Sequence, residues 1–206
     1  MTATRPHLLK LLAPLATLAC GLALFFALNR TDTVEPPAGA SVDVPAGAST
    51  DQRIAILQGA ARDGLVGAEG YAQLGDAYLD KARENGDPAY YSRADRSFHA
   101  ALRRGARNVT AVLGAGMLAG LRHDFREQLR LGRKAQRLEP GLAALPVIAD
   151  AQIELGRYRP AAHTIQRMLD VRPNLTSYSR ASYYRELSGD TVGAIEAMRL
   201  AASAGR

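Results

Sequence analysis

Cysteine, tryptophan and histidine are nearly missing from this chain: its 206 residues include one cysteine, no tryptophan and four histidines. A lone thiol, Cys20, excludes a disulfide within the chain and any metal or redox motif built on cysteine spacing. Because Cys20 lies inside an apolar run, it reads as a small hydrophobe. Aromatic residues make up only 6%, too few to interleave with basic side chains as base-stacking platforms do, so nucleic acid is not an expected partner. There is no His-x-x-x-His pair, glycine-rich phosphate loop or nucleophile elbow. His99, His123 and His163 occur singly, and His123 reads as a polar residue in an inter-helix turn. Asp150 and Glu154 stand one helical turn apart and read as surface charge rather than as an acid–base pair. The chain is therefore read as a non-enzyme, with no catalytic residue, cofactor or metal ligand expected.

Lysine and arginine number 26 against 20 aspartate and glutamate, a net charge of +6. The surplus falls entirely after residue 50, since Arg5, Lys10 and Arg30 balance Asp32, Glu35 and Asp43. Spread over a helical domain, such a surplus describes a solvated arginine-rich face.

The one long apolar run, Leu11 to Leu28, has 18 uncharged residues, near the lower limit of roughly 17 to 25 for a bilayer-spanning helix. Asn29 and Arg30 follow it, and the first Ala-x-Ala pattern beyond is Ala38-Gly39-Ala40. Residues 1–30 are expected to be an uncleaved signal-anchor; a long cleaved signal peptide, giving a secreted protein, is the alternative. Leu18-Ala19-Cys20 is also loosely similar to a bacterial lipobox, but the run stays apolar beyond Cys20. Arg5 and Lys10 before the run, against Arg30 among three acids after it, place the N-terminus in the cytoplasm and the rest outside. The expected location is thus the cytoplasmic membrane, single-pass. Residues 31–50 contain Pro36, Pro37 and Pro45 and two copies of Pro-Ala-Gly-Ala-Ser, the composition of a flexible linker.

From residue 51 onward a register of 33 or 34 residues recurs. Gly156, Tyr158 and Ala161 are followed at this interval by Gly189, Thr191 and Ala194; Phe125 precedes Tyr158 and Pro140 precedes Pro173 by the same step. Phe98 and Ala101 likewise precede Gly132 and Ala135. A period of this length marks stacked two-helix units, none of which buries its apolar face alone. Ser49-Thr50-Asp51-Gln52 has capping-box spacing and predicts a lead-in helix over about 51 to 63. Asn85-Gly86-Asp87-Pro88 is a turn signal.

These residues resemble the tetratricopeptide repeat family. Tyr71, Leu74, Gly75, Tyr78, Ala94, Phe98 and Ala101 stand at its signature sites in the first unit, with extra residues in the turn. Phe125, Ala135 and Pro140 do so in the second, where Gln128 replaces the usual alanine. Gly156, Tyr158, Ala161 and Pro173 mark the third, and Tyr178, Gly189 and Ala194 the fourth. More narrowly, Gly86 to Tyr91 and Gly189 to Arg199 look like a group of bacterial repeat proteins of undefined activity.

The resemblance implies an all-α, right-handed α-solenoid over 51–206, with units at about 68–108, 109–141, 142–174 and 175–206, preceded by a single hydrophobic helix. It also implies that first helices line a concave groove. That groove is expected to present Glu69, Ala72 and Asp76, then Thr110, Leu113 and Met117, then Ala143, Pro146 and Asp150, then Ser179, Tyr183 and Glu186. Its charged members are acidic and only Arg180 lies near, which argues against the family's clamp for a terminal carboxylate.

The function expected is a membrane-tethered scaffold binding a helical or extended protein segment. The alternative is binding of lipid headgroups or another polyanion through Arg103, Arg104, Arg107, Arg126, Arg130, Arg133, Lys134 and Arg137. Gly114, Gly116, Gly120 and Gly132 read as close helix packing, or as a hinge in the second unit. The C-terminal helices carry no polar capping helix and are expected to dock a second copy or another protein. A C-terminal reporter should be active only outside the cytoplasm; cytoplasmic reporter activity would contradict the orientation.

Overall fold

A computed structural model of the chain describes residue 37 and residues 40–205. The hydrophobic helix expected over 11–28 lies outside the described residues. Those described form helices and turns, with no strand among them: α1 (Thr50–Arg62), α2 (Ala68–Asn85), α3 (Ala89–Arg104), α4 (Val109–Leu121), α5 (Phe125–Leu138), α6 (Leu145–Glu154), α7 (Tyr158–Val171), α8 (Leu175–Leu187) and α9 (Thr191–Ala204). Among the described residues no helix is long and apolar enough to cross a membrane.

The 33-residue register has a backbone cause. After α4, α6 and α8 the chain reverses through one left-handed residue: His123, Gly156 and Gly189, with φ of 60°, 68° and 80°. At each, two hydrogen bonds close the helix end; after α6 they run from Gly156 N–H to the Ile153 carbonyl and from Arg157 N–H to that of Gln152, at 2.8 and 2.7 Å. This paired closure satisfies carbonyls that a helix end leaves without partners. His123 takes the glycine position in the second unit, and its ring meets Phe125 edge-on at 5.6 Å. At the far end of a unit, Pro140 and Pro173 follow the caps of α5 and α7, where a residue without N–H ends helical continuation.

Each helix pair packs on itself and on the first helix of the next pair. The first helices α2, α4, α6 and α8 also touch in succession, whereas α3, α5, α7 and α9 make no contact with one another. First helices therefore form one continuous layer, here termed inner, and second helices a separate outer layer.

The core is a chain of three apolar clusters. The first joins Leu57 of α1 to Leu74, Tyr78, Phe98 and Leu118; the next joins Val112, Leu129 and Ile148; the last joins Leu145, Ile165, Met168 and Ala197. Of the repeat-signature residues, Leu74, Tyr78, Ala94, Phe98, Ala101, Ala135, Ala161 and Ala194 are buried, whereas Tyr158 is exposed. Phe98 is 0% exposed. A Cβ added at Gly75 would lie 2.4 Å from its ring, and one at Gly114 would lie 2.2 Å from it. The ring is thus seated in a slot between α2 and α4 that only glycine leaves open. Gly132 similarly receives Ile148, whose Cγ1 would lie 2.8 Å from an added Cβ. Close packing, rather than a hinge, is what these glycines provide.

Two expectations need correction. The extra residues of the first unit do not enlarge its turn; they lengthen α2 to 18 residues, against 13 for α4. The linker, expected to be flexible throughout 31–50, is held over its second half. Val42 and Val44 pack against the first core cluster, Val42 N–H donates to Gln73 Oε1 at 3.1 Å, and Gly70 N–H donates to the Ala40 carbonyl at 3.3 Å. The physical reason is the alternation of Val42 and Val44, which puts two apolar side chains on one face of an extended segment. The segment also serves α2, whose Gly67 cap has no side chain to satisfy the first turn. Ser49 then forms the capping box with Gln52 and opens α1. At the other end, α9 leaves Val192, Ile195 and Met198 exposed.

Phe98→Ala should destabilise the fold by about 3–5 kcal/mol through lost burial and an unfilled slot. Gly75→Ala should cost about 1–3 kcal/mol through overpacking. Both are measured by denaturant unfolding, and a neutral result for Gly75→Ala would show that the slot is loose.

Candidate partner-binding groove

On α2, Ala72 is fully buried in the first core cluster rather than open to the groove, and Gln73 beside it binds the Val42 N–H. Glu69 is engaged within the fold: Asn108 Nδ2 and Thr110 Oγ1 donate to its carboxylate at 2.7 and 3.2 Å. Asn108 also caps α4 by accepting from Ala111 N–H at 2.7 Å. Glu69 therefore ties the first unit to the start of the second.

Asp76 has neither a hydrogen bond nor an ion pair among the described residues. Its burial, reinforced by the Asp80 and Glu69 carboxylates, pushes its pKa up to about 7 against the pull of Arg53 and Arg83.

Between α4 and α6 the inner face opens into a cavity of about 510 Å³. Leu113, Met117, Phe125 and Pro146 form an apolar wall, and Gln128, Asp150 and Glu154 bring the polar groups. Of the expected groove residues, Leu113, Met117, Ala143, Pro146 and Asp150 are thus brought together here; Glu69, Asp76, Tyr183 and Glu186 do not line this cavity. Asp150 is not a free carboxylate. Arg180 of α8 donates to both its oxygens, Nε and Nη2 at 2.8 and 2.7 Å, a bidentate pair joining the third unit to the fourth. Tyr183 is 44% exposed, and its hydroxyl donates to Glu154 Oε1 at 3.4 Å. Desolvation raises the Tyr183 pKa, and the Glu154 charge adds to it. Glu186 is exposed on α8.

Gln128 was not among the expected groove residues because it belongs to a second helix. The available signal was its departure from the small residue usual at that site. On the outer face, Arg126, Arg133 and Arg137 of α5 are exposed, while Arg130 pairs with Glu127 through two 2.6 Å bonds. Arg104 instead lies over the Tyr71 ring, 4.3 Å from its centroid. Among the described residues no group of His, Cys, Asp and Glu is placed to hold a metal ion.

A layer of inner helices, a layer of outer helices and a left-handed reversal every 33 residues define the tetratricopeptide-type helical repeat fold. Solved structures bear out that class. A tetratricopeptide repeat protein from Parabacteroides merdae superposes with a TM-score of 0.63 at 17% identity, over 76% of this chain and 59% of that one. MamA from Desulfovibrio magneticus RS-1, residue 41 to its end, gives 0.58 at 16% identity, over 77% of this chain and 87% of that one. MamA of MSR-1 gives 0.54 at 16% identity, over 76% and 87%. At such identities the likeness is one of fold. No protein-family model and no curated protein sequence matches the chain.

The raised pKa of Asp76 fixes the sign of a pH effect. Between about pH 4 and pH 7 the unfolded carboxyl is ionised while the folded one holds its proton, so stability falls as pH rises through that window and levels off above it. Asp76→Asn should stabilise the chain by about 1–3 kcal/mol at about pH 8 and by nearly nothing at about pH 4. Urea unfolding at the two pH values measures this, and equal effects at both would contradict the burial of an unpaired carboxylate.

Proposed function

We propose that this chain is a non-enzymatic scaffold that binds a helical or extended protein segment along its inner helices. The observation that carries the reading is the apolar cavity of about 510 Å³ between α4 and α6, on the surface the first helices share. Its apolar wall of Leu113, Met117, Phe125 and Pro146 is bordered by Gln128, Asp150, Glu154 and Arg180. The repeat fold supplies an extended surface suited to partner binding. The proposal includes a tether: the apolar run 11–28 holds the chain in the cytoplasmic membrane with the repeats outside the cytoplasm, or is cleaved to release them. Self-association through the exposed Val192, Ile195 and Met198 of α9 belongs to the same reading.

A second reading has its own observation. Arg126, Arg133, Lys134 and Arg137 on α5 have no ion-pair partner among the described residues, which suits anionic headgroups or a polyanion. Such binding weakens steeply with salt, whereas a groove contact anchored by apolar side chains does not.

A photo-crosslinking residue at Leu113 should capture protein in cells that make the chain, and one at Arg133 should not. Adducts from position 133 alone would favour the outer face and overturn the groove.

A further inference from the structure

A second cavity, of about 360 Å³, opens between α1, α2 and α3, away from the groove. Gln58 of α1, Tyr71 and Tyr78 of α2, and Arg93, Arg96 and Ser97 of α3 line it. Among the described residues no carboxylate faces this space, whereas the groove cavity holds Asp150 and Glu154. Arg93 and Arg96 stand three residues apart, so their side chains leave one face of α3 as neighbours.

Neither guanidinium is spent on a carboxylate. Other arginines of the first unit and its surroundings are: Arg53 and Arg83 pair with Asp80, and Arg122 with Asp95. Arg93 and Arg96 are exposed and have no ion-pair partner among the described residues. Arg93 is nonetheless positioned, because its guanidinium lies over the Tyr90 ring, 4.9 Å from the centroid. Tyr90 in turn meets Tyr78 with the ring centroids 6.0 Å apart. An aromatic face attracts a cation without occupying its N–H donors, so they stay available at the mouth of the cavity.

A buried hydroxyl adds a third donor. Tyr78 is 6% exposed, and its hydroxyl oxygen accepts from Gln58 Nε2 at 2.6 Å. An oxygen engaged in this way keeps its own proton to donate, and no acceptor for that proton lies among the described residues. Ser97 offers no competing donor, since its Oγ donates to the Arg93 carbonyl at 3.1 Å. Two cationic forks and a phenol therefore meet with no anion between them. A carboxylate has two oxygens in one plane and suits a single fork. The three terminal oxygens of a phosphate monoester can be shared among all three donors.

We propose that the cavity between α1, α2 and α3 binds a phosphate monoester, with Arg93 and Arg96 on its terminal oxygens and the Tyr78 hydroxyl donating to the same group. The site does not involve the cations of α5 and is independent of what the groove takes.

The test is calorimetric titration of the full-length chain, held in phosphatidylcholine nanodiscs at low salt, with glycerol 3-phosphate. Binding should be saturable. Arg93→Gln and Arg96→Gln should each weaken it about 10-fold or more, the loss expected for one charge-assisted hydrogen bond. Both replace exposed side chains, so their thermal midpoints should match that of the parent chain. The double variant Arg126→Gln, Arg133→Gln on α5 should bind as the parent does. Nanodiscs containing phosphatidic acid, whose headgroup is the same monoester, separate two sources of the ligand. Loss of the titration there identifies a membrane headgroup as the occupant, and an unchanged titration identifies a soluble phosphate ester. Absence of saturable binding, or binding that survives both α3 variants, would overturn the site. Acetate binding as tight as that of glycerol 3-phosphate would overturn the choice of phosphate.

Discussion

Everything else in this fold is arranged around one aromatic ring pressed between two glycines. Phe98 projects from α3 between α2 and α4, and Gly75 and Gly114 each lack the one atom that would occupy its place. The ring thereby holds two inner helices and one outer helix in a single contact, so a chain of two-helix units becomes a continuous layer. The second unit repeats the device with aliphatic side chains, Ile148 against Gly132, and the third relies on the small residues Ala161, Ala181 and Ala197. Leu113, Met117 and Pro146, larger side chains of the inner helices, line the cavity and form its wall.

Charge follows the same division. Inner carboxylates near unit junctions are engaged: Glu69 by Asn108 and Thr110, Asp150 by Arg180. These contacts link successive units, Glu69 to the start of the second and Asp150 to the fourth. Among the described residues, the inner carboxylates without a cation partner are Asp76, Glu154 and Glu186, of which Glu154 accepts from the Tyr183 hydroxyl, while the α5 cations without an ion pair lie outside. A ligand for the inside and a ligand for the outside would therefore differ in sign of charge.

The register of the fold was legible because it is written by backbone geometry, which leaves glycine at the left-handed reversals and proline after the second helices. His123 escaped this logic: it occupies the same reversal as Gly156 and Gly189, 33 residues earlier, in a residue type that does not advertise positive φ. The held segment at Val42 and Val44 was hidden by its surroundings. Two proline- and glycine-rich repeats flank it and signal freedom, whereas two valines alternating on one face signal docking, and the docking prevailed. The groove was legible in its middle, at Leu113, Met117 and Asp150, and misread at Ala72, where a step of one residue around a helix exchanges core for surface. Partnerships across about 30 residues, such as Asp150 with Arg180, depend on how units stack and leave no local mark. The solitary state of Gln128 is of this kind; only its departure from a small residue showed in the sequence.

The seating of Phe98 is the point on which the account turns, and proton NMR of the chain tests it directly. If the ring occupies the slot, one Hα of Gly75 and one Hα of Gly114 lie against its Cδ1–Cε1–Cζ side. Both should show ring-current-displaced shifts and nuclear Overhauser contacts to the Phe98 ring. Ordinary, near-degenerate Hα shifts at either glycine, without contacts to that ring, would contradict the account.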